Sequence, residues 1–406
     1  MDLRSLWAKK KKIYQGVFFL LVATEFFELK ILHHGPYRWL MLVLCLWMVL
    51  GALKAKGSVV GKMICAYFAF FVISSLYAMF FYHQSIVEIF KQASPMYIGL
   101  FSFFLWMRQN VTAKETMIIL RWFSIAFCVC YIFQWLVYPH VLFYGAVDKL
   151  NVSVTYYRLR MPGSIGAYYL FFDGLRLFQK GKKIKGGGLM IMGILPILIM
   201  GFRSLTMLSC LFGVIMLFQL FKMKSIKSWM TLFLLIVSFL GVSQMPIVQK
   251  KMNEMQNRQE SDQDFSNPDY IRYFEYQYYT SYVFSNPADK ILGGGLPVNG
   301  AYANKFEIAY KNGLYWVDLG LVGLAMVVGP ATVLLLVFVV LRCAWKCADK
   351  NLLHLRYTLL TVLLGSVITS MELYRQGNLL VIGVMLYLEY AYNEKECLKN
   401  KDLLIL

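Results

Sequence analysis

Acidic residues are scarce in this chain. Only 22 of its 406 residues are Asp or Glu, against 41 Lys or Arg, and charged residues of both signs reach 16%. Soluble domains carry about a quarter charged residues, so one or two soluble domains are not expected here. No Asp/Glu cluster has the spacing of a metal-dependent glycosyltransferase. No Walker-type lysine–serine pair accompanies the triple glycine at 293–295, which argues against a nucleotide-binding loop. Cysteines number eight, and none lies between residues 248 and 313, so no disulfide framework is expected there. Cys343 and Cys347 share a helix face but have no matching His or Cys pair, and they read as small apolar residues. His33 and His34 sit in a short turn as neighbours that point apart, which suits interfacial packing better than a metal. Internal repeats are absent, and the basic, glycine-rich tract from Lys180 to Gly188 reads as a solvated turn.

What remains is apolar. Hydrophobic residues make up 59% and the mean hydropathy is +0.56. A helix needs about 20 apolar residues to cross a bilayer. Runs of that kind fall at 13–32, 36–53, 58–82, 86–107, 116–138, 161–178, 187–202, 205–221, 228–247, 314–341, 353–371 and 378–392. The expected fold is therefore all-α: a polytopic integral membrane protein of about 12 transmembrane helices, forming a single domain over 1–406. A large polar loop, 248–313, separates the ninth and tenth runs. Met1 to Lys12 is basic, but the run behind it holds Glu25, Glu28 and Lys30 and lacks a small-residue cleavage site, so a retained first span is expected. Glu25 and Glu28 share a helix face and read as exposed near its outer end.

Charge alternates between the connections. One side gathers 26 Lys and Arg and the other, leaving out the long loop, only eight. Basic residues in short loops stay on the cytoplasmic side. Both termini are thus expected in the cytoplasm and the long loop outside. The basic excess follows from topology, so nucleic acid is not an expected partner. Aromatic residues at run ends, such as Trp106, Trp122, Trp135 and Tyr138, fit an interfacial belt.

Arginines on the sparsely charged side are exceptions to that rule, and charges near lipid tend to be functional. Arg158 and Arg160 follow Tyr157 in the second-largest outer loop. Arg203 sits in the tight turn Gly201-Phe-Arg-Ser-Leu-Thr206. Arg272 lies in an aromatic segment running from Tyr270 to Phe284, and Arg375 follows Glu372 in the last outer turn. Guanidinium forks match phosphate oxygens bidentately, so a pyrophosphate or other polyanion site at the outer leaflet is expected. Carboxylates available as a general base on that side are Asp269, Glu275, Glu307 and Glu372. Asn267-Pro268 reads as a helix start ahead of the aromatic segment.

Several of these stretches resemble a known family. Twelve spans with a large outer loop after the ninth resemble the O-antigen polymerase (Wzy) and O-antigen ligase superfamily, with a GT-C-like architecture. Gly201 to Thr206 looks like the family's Ser-Arg-Thr turn with its order altered. Arg272, the aromatics behind it and Asn286-Pro-Ala-Asp-Lys-Ile-Leu-Gly-Gly resemble its arginine, helix, Asn-Pro and glycine-turn pattern. Asn312 to Gly323 resembles the stretch that re-enters the membrane. The ligase branch carries a histidine late in the long loop; none is present here, which favours the polymerase branch. Glycine ten residues after an outer-loop arginine, a polymerase pattern, is absent after Arg158, Arg160 and Arg272.

The resemblance implies a metal-independent glycosyltransferase without a cofactor, in the bacterial cytoplasmic (inner) membrane. It would transfer a glycan from undecaprenyl pyrophosphate to a sugar hydroxyl of a second lipid-linked repeat unit. Partners implied are that undecaprenyl-pyrophosphate-linked oligosaccharide, the lipid bilayer and a chain-length regulator protein. Expected catalytic residues are Arg272, Arg203 and Glu372; expected substrate-binding residues are Arg158, Arg160, Tyr157, Tyr270 and Arg375. A lipid-linked oligosaccharide flippase is the rival, and it predicts mid-bilayer charges and two related halves. A non-enzymatic scaffold would leave the arginines incidental.

Overall fold

The computed structural model describes residues 3–31, 39–40, 43–44, 46–48, 50, 58–93, 99–138, 140–143, 161–220, 271–368, 372–373 and 377–404. All described regular structure is helical, apart from one isolated bridge between Leu29 and Phe143. In chain order the helices are α1 (Leu3–Ala23), α2 (Val59–Tyr82), α3 (Ile86–Ala93), α4 (Ser102–Gln109) and α5 (Ala113–Leu136). They continue with α6 (Ile165–Gln179), α7 (Lys183–Met200), α8 (Arg203–Leu220), α9 (Ile271–Tyr278) and α10 (Pro287–Leu292). The last five are α11 (Gly300–Lys311), α12 (Gly320–Val328), α13 (Pro330–Lys346), α14 (Leu353–Ile368) and α15 (Asn378–Leu404).

Among the described residues, three helices are long and apolar enough to cross a membrane: Val59–Tyr82, Ala113–Leu136 and Lys183–Met200. Ser204–Leu220, Trp316–Val328 and Leu353–Val367 are shorter apolar helices. Polarity is turned inside out. Trp345 is 76% exposed, Phe80 and Met207 71%, while Asp173, His354 and Glu372 are fully buried. Water would penalise so apolar an outer face and lipid would not, so the bundle is compatible with a helical membrane protein.

Local chemistry sets the helix starts. Ser58 Oγ accepts the Gly61 N–H ahead of α2. Thr112 and Glu115 exchange backbone and side-chain bonds in a capping box that opens α5. Between α6 and α7 the backbones touch: a Cβ added at Gly174 would lie 2.6 Å from Met190 N, and one at Gly193 2.5 Å from Phe171 N. Glycine permits that approach, which dispersion rather than burial from water rewards inside lipid.

α15 is the central post. Every residue from Asn378 to Glu389 is buried. Ser102 Oγ donates to Leu380 O at 2.6 Å, and Tyr387 Oη donates to Val111 O at 2.6 Å, pinning it to the α4 region.

Two expected spans are interrupted. Residues 86–107 divide into α3, a 3₁₀ turn at Gly99–Phe101 and α4. Residues 314–341 divide into a 3₁₀ turn at Trp316–Leu319, then α12 and α13, parted at Gly329-Pro330. Proline has no N–H to give the carbonyl four residues back, here that of Met326. Gly294 N–H supplies the missing donor to Met326 O at 2.8 Å, and Gly295 N–H bonds Val327 O at 2.8 Å. Residues 293–296 are buried against this break. The triple glycine is thus a strap across a discontinuous helix, where backbone groups freed in an apolar interior must find partners.

Glu25 is buried, against its expected exposure, and neither it nor Glu28 continues α1. Residues Glu25, Phe26, Phe27 and Glu28 have φ of 54°, 48°, 63° and 60°, a left-handed turn without glycine. Phe27 is packed between Phe123 and Phe127, which holds that strained backbone in place.

Candidate functional site

One end of the bundle collects the segments singled out by the sequence. Glu372 lies in the turn between α14 and α15. Its Oε2 accepts from Ser164 Oγ at 2.7 Å, and Asn378 Nδ2 donates to Ser164 Oγ at 3.0 Å and to Glu372 O at 2.7 Å. Asn378 Oδ1 accepts the Ile165 N–H at 3.2 Å. This buried network ties the start of α6 to the start of α15. In sequence, Arg160 lies four residues before Ser164 and Arg375 three residues after Glu372, and both lie outside the described residues.

α8 begins at Arg203, directly after the left-handed Gly201 that ends α7. Leu205, two residues on, fills the space beside Gly365 of α14. Ser366 Oγ, the next position, accepts the Leu373 N–H at 2.8 Å. A Cβ at Gly320, which opens α12, would meet the carbonyls of Ser366 and Val367. The start of α8, the start of α12 and the Glu372 turn therefore meet around the end of α14.

α9 joins this end through Glu275. Its Oε1 accepts the Tyr315 N–H at 2.9 Å, just before the Trp316–Leu319 turn that leads into α12. Oε2 is buried with no hydrogen-bond donor. Burial pushes the carboxyl up to about 7, nearby Asp318 adds to the rise, and the Tyr315 N–H and Arg272 oppose it. Arg272, three residues earlier on α9, is half-buried. Tyr273, Tyr276 and Tyr282 of the same segment are exposed, while Tyr279 is buried and donates to Leu314 O at 3.1 Å.

α10 anchors the segment. Asn286 and Asp289 form a capping box with Pro287 at the first helical position. Fully buried Asp289 also accepts from Tyr77 Oη at 2.9 Å and Tyr82 Oη at 2.7 Å on α2. Tyr82 stacks on Tyr302 at 4.2 Å, and Gln84 Oε1 takes the Val298 and Asn299 N–H groups at 2.9 and 3.0 Å.

No protein-family model, curated protein or solved structure matches this chain.

Arg203, Arg272 and Glu372 are thus carried by elements that meet at one end, although the Arg203 side chain is outside the described residues. Tyr157, Arg158, Arg160, Tyr270 and Arg375 lie outside them as well, as do Asp269, His33, His34 and the Asn267-Pro268 helix start. Cys343 and Cys347 are both buried. Among the described residues no three His, Cys, Asp or Glu side chains gather closely enough to hold a metal ion. Sequence reasoning missed Ser164 and Asn378, which carry no local signal. It also missed Asp289, although Asn-Pro-Ala-Asp spells a capping box.

Proposed function

We propose that this protein is a metal-independent glycosyltransferase of about twelve spans in a bacterial cytoplasmic membrane, joining lipid-linked repeat units on the outer face with both termini inside. The observation that carries the reading is the meeting, at one end of an apolar-sided bundle, of the Arg272–Glu275 helix, the start of the Arg203 helix and the Glu372 turn. In this scheme the hydroxyl oxygen of the acceptor sugar attacks the anomeric carbon of a glycan on undecaprenyl pyrophosphate. The bond from that carbon to phosphate breaks, and lipid pyrophosphate leaves with the electron pair. Arg203 and Arg272 stabilise the charge growing on the leaving phosphate, helped by Arg158, Arg160 and Arg375. Exposed Tyr273, Tyr276 and Tyr282, with Tyr157 and Tyr270, suit the apolar faces of sugars.

The hydroxyl proton goes to a carboxylate. Glu372 already accepts from Ser164, whereas burial raises the Glu275 pKa to near neutrality. A base is most effective when its pKa lies near the working pH, so Glu275 takes this role over Glu372.

Single alanine substitutions of Arg203, Arg272 and Glu275 in the host test the reading, with surface glycan length followed on a gel. Loss of long chains, with short lipid-linked units accumulating, is the expected result. Undiminished long-chain glycan in all three strains defeats it. A flippase draws support from the discontinuity at Gly329-Pro330, since broken helices line transporter sites. It predicts instead that repeat units pile up on the inner leaflet.

A further inference from the structure

The opposite end of the bundle holds a charged cluster that glycan transfer does not use. Arg121 on α5 donates from Nε to Asp173 Oδ2 at 2.6 Å. Arg176, one turn beyond Asp173 on α6, donates to Oδ1 from Nη2 at 2.6 Å and from Nε at 3.0 Å. Asp173 is fully buried, and the Arg121 and Arg176 side chains are 16% and 6% exposed. His354 enters from the start of α14. It is fully buried, and neither ring nitrogen has a hydrogen-bond partner. Its ring meets that of Tyr169 edge-on at 5.3 Å, one turn before Asp173 on α6.

The other polar groups nearby are committed. The Tyr169 hydroxyl donates to Met117 O at 3.4 Å. Lys180 donates to Asn351, and Asp349 accepts from the Asn351 N–H and from Tyr392 Oη. Lys180 and Asp349 offset one another in charge. Two guanidinium groups facing one carboxylate leave the cluster a unit of positive charge in excess. An imidazole always carries at least one N–H, and a buried donor without an acceptor is costly. An uncompensated guanidinium inside an apolar bundle is costlier still. A water molecule would answer the first need and leave the second. A negatively charged acceptor answers both.

We propose that Arg121, Arg176 and His354 hold a small inorganic anion of the size of chloride, buried between α5, α6 and α14. The site is at the far end from the proposed glycan chemistry and does not depend on it.

Purified full-length protein in a neutral detergent provides the test. Melting curves are compared in sodium chloride and sodium gluconate at equal ionic strength, with anionic phospholipid added in a third arm. Chloride is expected to raise the midpoint saturably in the absence of phospholipid. Bromide in its place is expected to give an anomalous scattering peak beside His354. Replacing Arg121 risks the fold, so the informative variant is His354→Gln, which leaves the ion pairs intact. It should weaken chloride about tenfold, which corresponds to about 1.4 kcal/mol. Identical midpoints in chloride and gluconate, with no bromide peak, overturn the proposal in favour of a buried water. Stabilisation by phospholipid alone overturns it too.

Discussion

Substituting Gly293 by Ala should loosen the glycine strap from α12 and α13. Gly293 has φ of +78°, and a Cβ there would collide with Gly329 N and lie 2.7 Å from Val327 O. A left-handed backbone costs alanine about 1–2 kcal/mol. Relieving the collision pulls Gly294 and Gly295 off their acceptors, two hydrogen bonds worth about 1 kcal/mol each. Met326 O is then left without a donor, because the helix breaks at Gly329-Pro330, at a further cost of about 1 kcal/mol. The expected loss is about 4–5 kcal/mol, or a midpoint lower by about 8–10 °C at roughly 2 °C per kcal/mol for a large chain. Gly300→Ala is the control, since Gly300 has φ of +68° with nothing within 4 Å of an added Cβ. It should cost only the backbone strain, about 1–2 kcal/mol. Equal midpoints for the Gly293 and Gly300 variants in detergent would refute the strap.

Protonated Glu275 suits its buried setting, so its raised pKa stabilises α9 docking fully below pH 4.5, and that contribution fades as pH rises through about 7. Hydrogen-exchange protection in residues 271–283, after correction for the intrinsic base-catalysed rate, should therefore fall from pH 6 to pH 8, and Glu275→Gln should flatten that fall; a Gln variant with the same pH dependence would count against this. Asp289→Ala strands the Tyr77 and Tyr82 hydroxyls and uncaps α10, and should cost about 2–4 kcal/mol in thermal melts. Glu372→Ala leaves Ser164 Oγ without its acceptor and should cost about 1–3 kcal/mol, while Glu372→Gln keeps an acceptor oxygen and should cost under about 1 kcal/mol. Melts of the two variants side by side distinguish this turn-holding role from a purely chemical one.

Much of the helical layout was legible because length and apolarity alone decide what can cross a bilayer. Val59–Tyr82, Ala113–Leu136 and Lys183–Met200 match expected runs closely. The break in 314–341 was legible in principle from Gly329-Pro330, a pairing that removes a donor and frees φ. Other features had no local signal. The left-handed turn at Glu25–Glu28 contains no glycine, and Phe27 held between Phe123 and Phe127 is a tertiary matter. Glu372 reads as a reactive carboxylate until Ser164, 208 residues away, is seen to occupy it. Glu275 is one acid among four in the sequence, and only the Tyr315 N–H, 40 residues on, and its burial separate it from the rest.

The central position of α15 bears on biosynthesis. Its buried portion starts at Asn378, so the ribosome releases it after the other described helices. Until then Leu100, Ser102 and Val111, the acceptor of Tyr387, lack their partners on it. A nascent chain stalled near residue 370 would lack its most buried stretch, leaving the apolar and polar groups that face it open to quality-control proteolysis.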